Sequence, residues 1–430
     1  MASADGKPAD GLPGSPGPGD NLRVSGERLW ESLMEMARVG PGVAGGNDRQ
    51  TLTDADAEGR RLFQGWCEAA GMTVGVDRMG TMFARREGED PSLDPVYMGS
   101  HLDTQPTGGR FDGVLGVLGG LEVIRSLDDA GIRTRRPIVL ANWTNEEGTR
   151  FAPAMLASGV FAGVHALDYA HDRRDAEGRR FGDELARIGF LGEEEVGARP
   201  IHAMFELHIE QGPILEAEGV EIGVVTHGQG LWWLEVTLTG REAHTGSTPM
   251  AMRVNAGLGM ARIVEMVHQV AMRHQPDAVG AVGHMGVWPN SRNVIPGRAV
   301  FTIDIRSPEH GKLDSMRAAI EDGARAVAAE LGLGIMIEPV GHFDPVTFDE
   351  GLAESVRRAA DDLGLSRRDI VSGAGHDACW IARLAPTVMI FCPCEGGLSH
   401  NEAEAITPDW ARAGTDVLLR AVLDAAEVVG

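Results

Sequence analysis

Gly99-Ser100-His101-Leu102-Asp103-Thr104 and the following Gly108-Gly109-Arg110-Phe111-Asp112-Gly113 set a histidine and two acids between glycines, directly after the apolar run Val96-Tyr97-Met98. A strand ending in such a loop presents its side chains at the carboxyl end, where open α/β sheets place their sites. His101 and Asp112 have the chemistry of metal ligands, and Asp103 is close enough in the chain to take the other ring N–H of His101. Asn145-Glu146-Glu147-Gly148 follows a second apolar run. Successive side chains at a strand end point opposite ways, so one carboxylate can bind a metal while its neighbour moves a proton. Phe205-Glu206-Leu207-His208-Ile209-Glu210-Gln211 alternates, placing His208 on the face of Glu206 and Glu210, and Gly397-Leu398-Ser399-His400 adds a histidine in a glycine-bounded loop. Each stretch alone also reads as a solvated acidic turn or a satisfied core histidine. Together, His101, Asp112, Glu147, His208 and His400 form a coherent set. Three imidazoles with carboxylates suit zinc, manganese or cobalt. Two such ions sharing one carboxylate would polarise a carbonyl and generate hydroxide near neutral pH, with Glu146 as the general base.

The elements that must position these residues are those of an α/β chain. The spacing predicts helices over 27–39 and 53–70, a strand at 96–98, a glycine-rich helix over 114–130, an apolar strand over 137–143 and another over 203–209; that order reads as a parallel sheet. The segment 163–200 reads as charged and irregular. From Gly223 the pattern changes: strands at 230–239, 278–287 and 300–305 accompany long helices at 249–273 and 313–331, an α+β arrangement. After about residue 342 the α/β signals return, with a helix at 350–363, a strand at 386–391 and a closing helix at 408–429. The plan is an α/β domain (residues 21–225 and 343–430) split by an insertion at 226–342, behind a Gly/Pro-rich tail at 1–20 that cannot bury a core.

Composition narrows the function. A chain of 430 residues, 43% hydrophobic and 24% charged, is ordinary for a soluble globular protein. A formal charge of −24 argues against nucleic acid or an anionic membrane as partner, but not against an anionic substrate met by a local arginine. No run has the length of a membrane span and no signal-type segment is expected at the N-terminus. Cys67, Cys379, Cys392 and Cys394 lack redox or zinc spacing and read as reduced, mostly buried thiols of a cytoplasmic protein.

With these motifs in hand, the chain resembles the N-carbamoyl-L-amino-acid hydrolase, allantoate amidohydrolase and β-ureidopropionase group of di-metal amidohydrolases, within the aminoacylase and dimetal carboxypeptidase clan. The resemblance is carried by Gly-Ser-His101-Leu-Asp103-Thr, Gly-Gly-x-x-Asp112-Gly, Asn-Glu146-Glu147-Gly, Glu-x-His208-Ile-Glu-Gln211-Gly-Pro, Gly-Ala-Gly-His376-Asp-Ala and Leu-Ser-His400-Asn-x-x-Glu, in that order from about residue 25 to the end. It implies a di-metal peptidase-like α/β domain with an inserted lid and dimerisation domain. Asp112 would bridge two divalent ions, His101 and His400 would serve one or other, and Glu147 and His208 would divide between the same two. Asp103 would orient a ligand, and Glu146 would be the base.

In the insertion, Arg241-Glu242-Ala243-His244-Thr245-Gly246 matches a motif whose histidine helps polarise the scissile carbonyl, although Thr245 stands where a small residue is expected. Asn293 and Arg306 fall in segments that hold a substrate carboxylate, a task suited to a planar guanidinium. Gln211 and His376 complete the implied pocket. Leu231, Trp232 and Trp233 are candidates for a hydrophobic side-chain pocket, with core packing the plainer use of Trp233. The reaction implied is hydrolysis of an N-carbamoyl-L-α-amino acid to amino acid, carbon dioxide and ammonia, by a homodimer. The alternatives are allantoate or β-ureidopropionate as substrate, a dipeptidase of the same clan, or a non-catalytic binding homologue, which would lack a ligand or the base.

Overall fold

The computed structural model describes residues 22–429, so the tail expected over 1–20 lies outside them. Two sheets organise the described chain. The larger carries nine strands, in the order Thr73–Val76, Met82–Arg86, Ile138–Trp143, Val96–His101, Ala203–Ile209, Thr387–Cys392, Ile222–Gly228 and Val346–Thr347, with Arg367–Ser372 also pairing Ile222–Gly228. Its centre is parallel, and residues of Val96–His101, Ile138–Trp143, Ala203–Ile209 and Thr387–Cys392 are buried throughout, as expected for strands covered on both faces. The expectation of a parallel sheet needs correction at the margins. Thr73–Val76 pairs Met82–Arg86 antiparallel, and Ile222–Gly228 runs antiparallel to Thr387–Cys392.

Helix boundaries follow their caps. Thr53 accepts from the Asp56 N–H to start Asp54–Ala69, and Thr407 accepts from the Trp410 N–H to start Pro408–Ala426, with proline at the first turn. The helix Val114–Asp129 is buried almost all round, packed on the sheet beside Pro408–Ala426. The segment 163–200, read as irregular, contains the short helices Leu167–His171 and Phe181–Ile188.

Residues 230–343 build the second unit, an antiparallel sheet in the order Val279–Trp288, Arg298–Ser307, Gly230–Thr239, Gly334–Phe343. Helices Ala256–Arg273 and His310–Leu331 cover one face, burying Leu234, Val236, Leu238, Phe301, Ile303 and Ile305 against Ile263, Val267, Met316 and Ile320. The first of these helices starts later than the predicted 249, because Asn255 accepts from the Gly257 and Leu258 N–H groups and caps it there. Gly334–Phe343 was not foreseen as a strand. Pro339 interrupts it, which an edge strand tolerates, and the register shifts there. Trp233 is not core: it is 45% exposed on the open face, while Trp232 faces the helices and stacks on His342. Among the described residues no helix is long and apolar enough to cross a membrane. All four cysteines are free and buried.

Candidate metal centre

Five separated segments of the large sheet converge at its carboxyl ends. His101 is the last residue of its strand, and its Nδ1–H donates to the Asp103 main-chain carbonyl at 2.9 Å. The Asp103 carboxylate, expected to take that proton, lies 4.0 Å away and instead accepts the Glu146 and Glu147 N–H groups at 3.3 Å each. Asp103 thus fixes the ring through its backbone and the Glu146–Glu147 turn through its side chain. His208, near the end of Ala203–Ile209, donates Nδ1–H to the Ile209 carbonyl at 2.9 Å. With Nδ1–H given to a carbonyl, each ring turns Nε2 towards Asp112. Gly113, which follows Asp112, has φ +67°, and a Cβ there would fall 2.4 Å from the His101 ring, so this turn admits only glycine. Asn145, Gln211 and His400 also hold positive φ, concentrating backbone strain around the centre.

The five predicted ligands sort into two groups that share one residue, and a third cluster joins His208 to Glu206 and His376. His101, Asp112 and His208 bring ligand atoms within 4.8 Å of one another, and so do Asp112, Glu147 and His400. Asp112 Oδ1 lies 3.8 Å from His101 Nε2 and 3.1 Å from His208 Nε2; its Oδ2 lies 3.4 Å from His400 Nε2. His400 Nε2 is also 3.4 Å from Glu147 Oε2. Glu146 belongs to neither group, and its Oε2 lies 3.5 Å from His101 Nε2.

The electrostatics of the cluster call for positive charge. Burial pushes the Glu146 carboxyl well above its ordinary range, and Asp377, Glu147, Asp112 and Asp103 push it the same way; Glu147 is raised likewise by burial and by Asp112 and Asp103. Burial also opposes ionisation of Asp112, but the His208 contact and the surrounding imidazoles outweigh it and hold that carboxyl well below the usual range. His208 is pushed down by burial yet raised to about 9 by Asp112 and Glu206, whereas burial takes His101 down to about 4. A buried centre with this excess of carboxylates is stabilised by divalent cations in place of protons. Nitrogen and oxygen donors directed at a shared carboxylate suit two such ions.

The remaining predicted residues divide. Gln211 Nε2 donates to Asp112 Oδ2 at 2.9 Å and to Ser399 Oγ at 3.0 Å. His376 is buried against His208, ring centroids 4.5 Å apart, with Nε2 3.0 Å from Ser372 Oγ. Arg306 is held by both oxygens of Asp304 and donates to the Gly373 carbonyl at 2.8 Å. With Gln211, Ser399 and His400 it lines one cleft of about 920 Å³. His244 and Asn293 are not among the residues lining that cleft. They sit together on a small two-stranded ribbon, where Thr245 N–H donates to the Asn293 carbonyl and both side chains are exposed.

Other functional neighbours carried no assigned role from sequence. Glu404 accepts from the Phe111 and Asp112 N–H groups at 2.9 and 3.1 Å, bracing the shared ligand from behind. Gln105 donates backbone and side-chain N–H to Glu147. Arg60 ties Asp56, the Gly80 carbonyl and Thr144 Oγ1 together, and Arg49 donates to the Leu102 carbonyl between His101 and Asp103. Glu404 was visible within the final His-Asn-x-x-Glu motif. The buried arginines, in contrast, look like surface charges in a linear chain.

Residues 97–424 match the peptidase family M20/M25/M40. The chain is 70% identical over 412 residues, covering 96% of it and 99% of the relative, to an N-carbamoyl-L-amino-acid amidohydrolase from Rhizobium meliloti. It is 35% identical to the protein of the same description from Geobacillus stearothermophilus, covering 94% and 99% of the two chains. A crystal structure of an amidase of the hydantoinase/carbamoylase family from Burkholderia multivorans superposes with a TM-score of 0.93 at 55% identity, covering 94% and 98%.

Proposed function

The chain belongs to the peptidase family M20/M25/M40, and from that premise we propose that it is an amidohydrolase cleaving the ureido C–N bond of N-carbamoyl-L-amino acids to give the amino acid, carbon dioxide and ammonia. The observation that carries this reading is the pair of ligand groups meeting at Asp112, with the unligated Glu146 beside them. His101 and His208 would hold one divalent ion and Glu147 and His400 the other, with Asp112 between them. When bound, zinc, manganese or cobalt would polarise the ureido carbonyl and acidify the attacking water.

The chain's own residues do the rest. Glu146, held among carboxylates, takes the proton of the attacking water and delivers it to the leaving nitrogen. Arg306, preset by Asp304 at the cleft wall, receives the substrate carboxylate through its remaining N–H groups and so fixes which bond faces the centre. Gln211 restrains Asp112, and His376 backs His208. The second unit (residues 226–342 in outline) serves as lid and dimerisation domain. The exposure of His244 and Asn293 away from the cleft supports their acting in a partner subunit's site within a homodimer, His244 on the developing oxyanion and Asn293 on the carboxylate. Four reduced thiols fit a cytoplasmic location.

The test is ammonia release by metal-stripped enzyme after add-back of manganese, cobalt or zinc, with N-carbamoyl-L-methionine, N-carbamoyl-β-alanine, allantoate and a dipeptide as substrates. Metal-dependent turnover of the α-carbamoyl compound, lost in Glu146→Gln, is expected. Turnover of allantoate or the β-compound alone would move the substrate and keep the chemistry. Inactivity on all four with metal bound would overturn the reading.

A further inference from the structure

A glycine loop far from the centre in sequence grips the chain two residues beyond His400. The segment Gly42-Val43-Ala44-Gly45-Gly46 is folded back on itself by the Gly42 N–H to Gly46 carbonyl bond at 2.8 Å. Its Ala44 and Gly46 N–H groups both donate to Glu402 Oε2, at 2.5 and 3.1 Å. The loop leaves no room for larger residues: a Cβ on Gly42 would meet Glu402 Oε2 at 2.3 Å, and one on Gly46 would meet the Gly108 carbonyl at 2.2 Å and Glu402 Cα at 2.6 Å. On its other side the loop is sewn to the segment leading into Asp112. Asn47 and Gly108 exchange main-chain hydrogen bonds at 3.0 Å, and Arg110 Nε donates to the Gly45 carbonyl at 2.6 Å.

The loop therefore spans two segments that supply ligands to the same ion position. His400 is the least buried ligand of the set, with its side chain 52% exposed, and it sits at φ +53°. Few contacts of its own hold it there: the carboxylates of Asp112 and Glu147 at 3.4 Å and Gln211 Nε2 at 3.5 Å. His101 and His208, by contrast, are buried and fixed by carbonyls.

We propose that Glu402, clasped by the main-chain N–H groups of residues 44 and 46, is a positioning residue that sets the affinity of the Asp112–Glu147–His400 ion position without affecting the His101–Asp112–His208 position. The inference rests on the metal assignment made under Proposed function. A carboxylate in a concave array of amides is a strong, geometrically specific anchor, and anchors of this kind behind a ligand typically govern metal affinity.

The experiment is calorimetric titration of Mn²⁺ into metal-free wild type, Glu402→Gln and Glu402→Ala, with thermal unfolding of each metal-free protein alongside. Both variants should bind one ion as wild type does and the second about tenfold more weakly or worse. Their kcat should return towards the wild-type value at saturating Mn²⁺. Two ions bound as tightly as in wild type would overturn the clasp. So would equal weakening of both ions together with a lowered metal-free Tm, which marks a merely structural role. Wild type that takes up no second ion would instead overturn the metal assignment, and this inference with it.

Discussion

At the scale of single residues, the proposed assignment separates groups that would hold ions from groups that would handle protons and substrate. Glu146 and Glu147 are adjacent, yet one reaches into a ligand group and the other does not. Glu146→Gln preserves shape and removes the base. It should keep two ions by metal analysis while kcat falls about 10²–10⁴-fold, the usual worth of a general base. Retained turnover would remove Glu146 from that role. Arg306 makes a different prediction. Arg306→Lys keeps the charge but loses the fork that grips Asp304 and, in the proposed function, a substrate carboxylate. Loss of one charge-assisted bond of ~1.5–3 kcal/mol should raise KM roughly ten- to hundredfold with kcat less affected. Steady-state kinetics on the wild-type substrate would show it, and an unchanged KM would place the carboxylate elsewhere.

At the scale of elements, turns and strand ends hold the site, and they have their own electrostatics. The hairpin joining Thr73–Val76 to Met82–Arg86 is pinned by Asp77, whose Oδ1 accepts from the Met79 and Thr81 N–H groups at 2.8 and 3.0 Å. Burial pushes this carboxyl up to about 7 in the folded protein. An aspartate in the unfolded chain ionises near 3.9, so across the interval above about pH 4 the unfolded state has released a proton that the folded state keeps. The contribution of Asp77 to stability is therefore fully present at the acid end and is lost as pH rises through about 7. Asp77→Asn keeps the acceptor and cannot titrate. Its Tm relative to wild type should climb steadily from about pH 5 to about 7 and then level off. A constant difference across that range would show that Asp77 does not titrate there.

At the scale of the whole molecule, the two units touch the site unequally. Arg306 reaches the large sheet's side directly, donating to the Gly373 carbonyl, whereas His244 and Asn293 remain exposed on the second unit. If a partner subunit receives them, complementation follows. A heterodimer of Glu146→Gln and His244→Ala contains one site with an intact base and an intact partner histidine. Mixing the two inactive variants under conditions that allow subunit exchange should restore activity, towards a limit set by the fraction of heterodimer. If His244 served its own subunit, every site in the mixture would stay broken and no activity would return.

What the sequence determined by itself is what short-range chemistry can encode. The residue types of the candidate ligands, their placement at strand ends and in glycine turns, the second carboxylate beside one of them, and the opening of Asp54–Ala69 at Thr53 are all readable, because strand alternation and cap bonds span only a few residues. The same locality explains what was missed. The antiparallel margins of the large sheet, the Pro-interrupted edge strand Gly334–Phe343 and the exposure of Trp233 depend on which strands become neighbours. Tertiary structure alone decided that His208 joins His101 while His400 joins Glu147, because strand order in space, not order in the chain, brings their nitrogens to opposite sides of Asp112. It also decided that Asp103 meets His101 through its carbonyl, and that buried Arg49 and Arg60 brace the loops beneath the centre. A buried charge needs partners from several segments at once, and no linear spacing records which segments those are.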